Sequence, residues 1–218
     1  MNHTKIIAIL IILVSSITVY CETNEAMFWK WFVDNQKEIF HFESNQTEVL
    51  DKLTIQLHKI DSNLTFEFGP ILENKREFVI SANGMKSSFP SVESLYNNAP
   101  KLSNWIFLKY RQRRFPLYDI TQNGRTVKIT DIKYLFIKDQ DPSKIGIVLF
   151  IKNYNKNEKD IFDSIGYIVL DTALGEYSVE MQVGAIVITG YTSKEMSIAK
   201  PVSELPTAFD SIMNKKNR

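Results

Sequence analysis

Three cations at alternate positions, Lys109, Arg111 and Arg113, follow the apolar run Trp105–Leu108. If that run continues as a strand to Arg113, the three cations share one face with Trp105 and Phe107, while Ile106, Leu108 and Tyr110 take the other. A guanidinium fork matches carboxylates and phosphates, so such a face suits an anionic small ligand or an acidic surface of another protein. The plainer reading is a charged strand end that keeps a sheet edge soluble. A second stretch with chemistry in it is LDTALGEYSVE, Leu170–Glu180. Gly175 stands where a helix would end with a left-handed residue, and Tyr177 with Val179 reads as the start of the following strand. Asp171 and Glu176 then flank a helix-to-strand connection, where they can line a pocket; exposed acids at helix ends are the bland alternative.

Other chemistries find little support. Beyond Cys21 the chain holds His41 and His58, on separate predicted helices, and no further cysteine. Structural and catalytic zinc sites draw on clustered Cys and His, so no metal ligand is assigned. There is no GxSxG elbow, P-loop or GxGxxG, so no cofactor is expected and no catalytic residue is named. With 26 Lys and Arg against 25 Asp and Glu, the formal net charge is +1. Nucleic-acid binders usually carry a clear basic excess, so nucleic acid is set aside as a partner.

The N-terminus carries an address. Lys5 precedes the unbroken apolar run Ile6–Val14, followed by Ser15, Ser16 and Thr18 before Cys21, the anatomy of an export signal. The uncharged span from Ile6 to Cys21, about 16 residues, falls short of the roughly 20 needed to cross a membrane as a helix. Residues 1–21 are therefore read as a signal peptide cut just after Cys21, and the protein as periplasmic or secreted. The alternative is a lipid anchor on Cys21, although Tyr20 and Thr18 stand where acylation favours a small residue and a leucine. Membrane contact is expected only through this segment.

The elements that must position these residues follow from periodicity. At 218 residues and 44% hydrophobic, the chain suits one large domain or two intimate small ones. Glu25–Phe42 reads as an aromatic-rich helix and Asn45–Ile60 as a second, with Asn45 and Glu48 as a capping pair. A strand-strand-helix-strand unit follows. Leu64, Phe66 and Phe68 alternate in its first strand and Phe78, Ile80 and Ala82 in its second, giving one core face and one wetter face. Pro90 opens a short helix and Pro100 stops it, before the strand through Trp105–Arg113. From Arg125 the order recurs: Thr126–Lys138 and Lys144–Tyr154 as strands, Asp160–Leu174 as helix, Tyr177–Tyr191 as one or two strands. Ile145–Ile151 and Val183–Ile188 are apolar on both faces, which predicts cover on two sides, with the N-terminal helices as one cover. Pro206–Met213 closes the chain as a helix. The fold class expected is α+β: two helices, then two ββαβ units over residues 22–124 and 125–218, with mixed, mainly antiparallel sheet covered by helices.

The blocks FWKWF at Phe28–Phe32, REFVISANG at Arg76–Gly84, FPSVESLYNNAP at Phe89–Pro100 and LDTALGEYSVE resemble a family of uncharacterised bacterial proteins. That resemblance implies a bacterial source and this order of elements, and it transfers no catalytic residue. The function expected is a non-catalytic binding or protein-interaction module outside the cytoplasm, for instance an immunity-like protein meeting its partner through Phe28–Phe32 or the cationic strand face. The alternative is a metal-independent hydrolase using carboxylates or serine. Convergent titratable groups with shifted pKa values would favour the enzyme, and a flat aromatic or basic patch the binder.

Overall fold

The computed structural model describes residues 22–191 and 194–216; the stretch read as an export signal and Cys21, with the expected choice between cleavage and lipidation, lie outside them. Helix α1, Asn24–Phe40, begins where the Thr23 hydroxyl accepts from the Ala26 amide, and it buries Phe28, Trp29, Phe32 and Ile39. Helix α2, Gln46–His58, turns Val49, Leu53 and Leu57 inward. Asn45 does not cap it as expected: its side-chain amide donates to Glu48 at 2.6 Å.

Strands β1, Thr65–Leu72, and β2, Lys75–Ser81, form an antiparallel hairpin turning through Glu73 and Asn74, both at positive φ. The register shifts at Gly69-Pro70, where a Cβ on Gly69 would come within 2.9 Å of Glu77 Cβ. Helix α3, Phe89–Asn97, carries the chain over to β3, Trp105–Lys109, which pairs parallel to β2. A small hairpin, β4 Ile120–Gln122 and β5 Arg125–Val127, turns at Asn123-Gly124. Strands β6, Ile132–Lys138, and β7, Ile145–Ile151, then pair antiparallel. Helices α4, Lys159–Leu174, and α5, Glu176–Gln182, lead to β8, Val183–Gly190, parallel to β7. A two-residue β9, Lys200–Pro201, adds to β6, and helix α6, Leu205–Lys216, ends the chain. The sheets run β1-β2-β3 and β8-β7-β6-β9. Strand-strand-helix-strand thus recurs with the same pairing in both units, antiparallel then parallel.

Several expectations are corrected by position in the sheet. β2 is central and has Val79 buried as well as Phe78 and Ile80, so its second face is dry. Phe66 and Phe68, on the edge strand β1, are half-buried instead of fully buried. The strand expected over Thr126–Lys138 is two, broken by a helical turn at Ile129–Asp131. Tyr177 and Val179 lie on α5 and start no strand. β8 is an edge with exposed Ala185 and Val187, so only β7 has the two-sided cover that its apolar run predicted. The N-terminal helices pack on the first sheet, while the second is covered by α4 and α6. Phe28, Trp29 and Phe32 are core and present no aromatic surface to a partner.

Candidate binding cleft between the two units

The strand expected to run to Arg113 ends at Lys109, because Tyr110 turns to φ 62°. Lys109, Arg111 and Arg113 therefore share no strand face. Lys109 Nζ goes to Glu93 at 2.6 Å, and the Tyr110 hydroxyl donates to the same carboxylate at 3.0 Å. Beyond the turn, Arg111–Arg114 lies along the joint between α4 and α5. The Arg114 amide donates to Thr172 O at 2.8 Å, Arg113 Nε to Leu174 O at 2.8 Å, and the Glu176 amide to Arg111 O at 3.0 Å. Gly175 makes this approach possible: it has φ 81°, and a Cβ there would meet Arg111 O at 3.4 Å.

Glu176 is the stitch between the units. Fully buried, it accepts from the Ala82 amide at 3.0 Å and the Gly84 amide at 3.1 Å with one oxygen, and from the Arg111 amide at 3.0 Å with the other. Three backbone donors from the first unit and its exit segment thereby find a buried acceptor. A buried charge is tolerable when its lone pairs are filled in this way. Glu176 thus holds structure and is not available to a ligand.

Around this stitch lies a cleft of about 760 Å³ lined by Glu67, Asn83, Arg111, Asp171 and Glu180, with the half-exposed Tyr118 and Tyr167 also on its walls. Arg111 is held on three sides: it bonds Glu67, donates to Asn83 Oδ1 at 3.2 Å, and reaches Asp171 Oδ2 at 3.5 Å. Arg113 pairs with Asp210 at 2.9 Å and Arg114 with Glu77 at 2.7 Å. A shallower depression of about 670 Å³ near Tyr96 and Trp105 has Lys101 as its one charged lining residue, and it lacks convergent groups.

The acids are less well served than the cations. Burial raises the Asp171 carboxyl to about 7; Arg111 pulls against this, and Glu176, Glu180 and Glu67 reinforce it. An ion pair at 3.5 Å and a raised pKa point in opposite directions. Burial prevails, because Arg111 is shared with the more tightly bound Glu67. Glu180 sits over the bare Cα of Gly84, its oxygen 3.1 Å from where a Cβ would stand. Burial and then Glu176 raise its pKa too, and among the described residues no cation lies within ion-pair distance of it.

Of the residues singled out by sequence, the fold brings Arg111, Asp171 and Glu176 together and takes Lys109 and Arg113 elsewhere. Glu67, Asn83 and Glu180 were missed. Glu176 and Glu180 are four apart, which on a helix is one face; reading this stretch as strand hid that signal. Among the described residues no group of three His, Cys, Asp or Glu is placed to hold a metal. Family models, curated proteins and solved structures give no match to this chain.

Proposed function

We propose that the protein is a non-catalytic binding module whose inter-unit cleft takes a cationic group, an amine or guanidinium of a small ligand or of a partner's side chain. The observation that carries this reading is the asymmetry of partners. Every arginine lining the cleft already has a carboxylate, whereas among the described residues Glu180 has no cation and Asp171 has a share of one. A cation between Asp171 and Glu180 would offset the burial, reinforced by neighbouring carboxylates, that raises both, gaining about 1.5–3 kcal/mol per charge-assisted hydrogen bond. Tyr118 and Tyr167 on the walls add aromatic surface, to which a cation is attracted. This reverses the charge of the ligand expected from Lys109, Arg111 and Arg113, whose cations are taken up within the chain. Residues 1–21, read as an export signal, would set this binding in the periplasm or outside the cell.

One observation favours a hydrolase instead: Asp171 titrates near 7, where a general acid or base works best. Acid–base pairs, however, have environments that push their pKa values apart, and here burial pushes Asp171 and Glu180 the same way.

Calorimetry with agmatine, cadaverine and arginine amide tests the proposal. Binding should release protons near neutral pH, because the bound cation favours ionised Asp171, and Asp171→Asn should abolish that release and weaken affinity. Silence with all three probes, or binding of phosphate or glutarate in their place, overturns it. Turnover of an ester or glycoside that disappears in Asp171→Asn would transfer the site to the hydrolase reading.

A further inference from the structure

The two main sheets end in four strands, β1, β3, β8 and β9. Exposed edges template pairing with other chains, and proteins blunt them with proline, charge, bulges or shortness. Three of these edges are blunted. β1 carries an irregularity at Gly69-Pro70 and a charge at Glu67. β3 is five residues long and ends in Lys109. β9 is the dipeptide Lys200–Pro201.

β8 has such a device only at its start, where its register with β7 shifts between Val183 and Ile186. Its eight residues, VGAIVITG, include no charge and no proline, and Ala185 and Val187 stand exposed, Val187 at 44%. Asp139 takes the Ala185 amide at 2.6 Å, so the guard is confined to the first turn of the strand. From Ile186 to Gly190 the pairing with β7 is regular, and no strand among the described residues lies on the other side. Alternate backbone groups of that stretch therefore face outward in a straight row.

We propose that this edge is the contact of a symmetric dimer, in which β8 pairs antiparallel with β8 of a second copy. Two-fold antiparallel pairing is self-complementary and sets each residue against the same stretch of its copy. A strand carrying one sign of charge would repel itself there. β8 is neutral throughout, and its apolar side chains on both faces would extend the apolar surface across the joint. The result is one continuous eight-stranded sheet built from two four-stranded ones. A strand edge alone buries less than a standard interface, so the dimer should dissociate on dilution.

Sedimentation of the full chain over a range of concentrations tests this, together with hydrogen exchange. The expected result is a doubling of the 25.2 kDa mass as concentration rises, with slowed exchange of the Ile186–Gly190 amides over the same range. Val187→Lys places like charges across the joint and should leave a monomer with unchanged circular dichroism, while Val187→Thr keeps the dimer. The exchange measurement needs no variant and decides the matter even if Val187→Lys fails to fold. The proposal is overturned by a monomer at every concentration, by a dimer in which the β8 amides stay fast or which survives Val187→Lys, or by a complex with another protein seated on β8 while the chain alone stays monomeric.

Discussion

The two units trace the same path with different materials. In the first, Phe78 is ringed by Phe28, Trp29, Phe32, Phe66, Phe68, Trp105 and Phe107, with centroids 5.2–6.5 Å away. In the second, Ile147 and Leu149 on β7 meet the aliphatic stripe Ile165, Val169 and Leu170 of α4. The first unit's own helix is short, nine residues, and its sheet needs α1 as cover, tied to α3 by Trp29 Nε1 donating to Leu95 O at 2.8 Å. The second unit's helix has 16 residues and covers the sheet with α6. A shared topology therefore fixes which strands pair, while the cover depends on how much helix the crossover supplies.

The largest expected effect breaks the aromatic side of this comparison. Phe78→Ala removes the central ring and should cost roughly 3 to 5 kcal/mol, as large core truncations do. Denaturant unfolding measures it, and native-state hydrogen exchange should show β1–β3 amides loosened before those of β6–β8. A loss under about 1 kcal/mol would mean that the rings repack around the gap.

Next in size is the joint itself. Glu176→Ala strands the amides of Ala82, Gly84 and Arg111, and should cost roughly 3 kcal/mol, at about 1 kcal/mol or more for each donor left buried and unpaired. Unfolding should also split into two transitions, because the two cores lose the acceptor that joins them. A single transition with the wild-type midpoint would assign the coupling to the remaining contacts of Arg111–Arg114.

A smaller effect sharpens the electrostatic side. Asp171 has a folded pKa of about 7, above its value in the unfolded chain, about 3.9. Between those values the folded state holds a proton that the unfolded state releases, so this group's contribution falls as pH rises from about 4 to about 7. Asp171→Asn removes the penalty. It should match the wild type near pH 4 and exceed it by roughly 1 to 3 kcal/mol at pH 8. Melting curves across that range check it, and parallel wild-type and variant profiles would contradict the assignment. Smallest of all, Arg114→Ala breaks the partly exposed pair with Glu77 and should change stability by less than about 1 kcal/mol.

Much of the architecture was legible because it depends on local period. The helices at Asn24–Phe40, Gln46–His58, Lys159–Leu174 and Leu205–Lys216 fall close to where apolar spacing put them, and the recurrence of strand, strand, helix and strand follows from the same patterns. The candidate cleft was half legible. Arg111, Asp171 and Glu176 were singled out for their chemistry as members of two separate stretches, and only packing shows that these stretches touch.

The amino-acid order by itself determined the main helices and the strand-strand-helix-strand order of each unit, since each depends on neighbours within a turn or a strand. Tertiary structure decided the rest. Tyr110 leaves the strand because its backbone turns to positive φ where the exit segment meets α4 and α5. The cations that looked free in sequence lost their freedom to Glu67, Glu93 and Asp210, residues between 16 and 97 positions away. Whether a charge is free is a property of its surroundings in space, because desolvation and ion pairing act through distance and not through sequence.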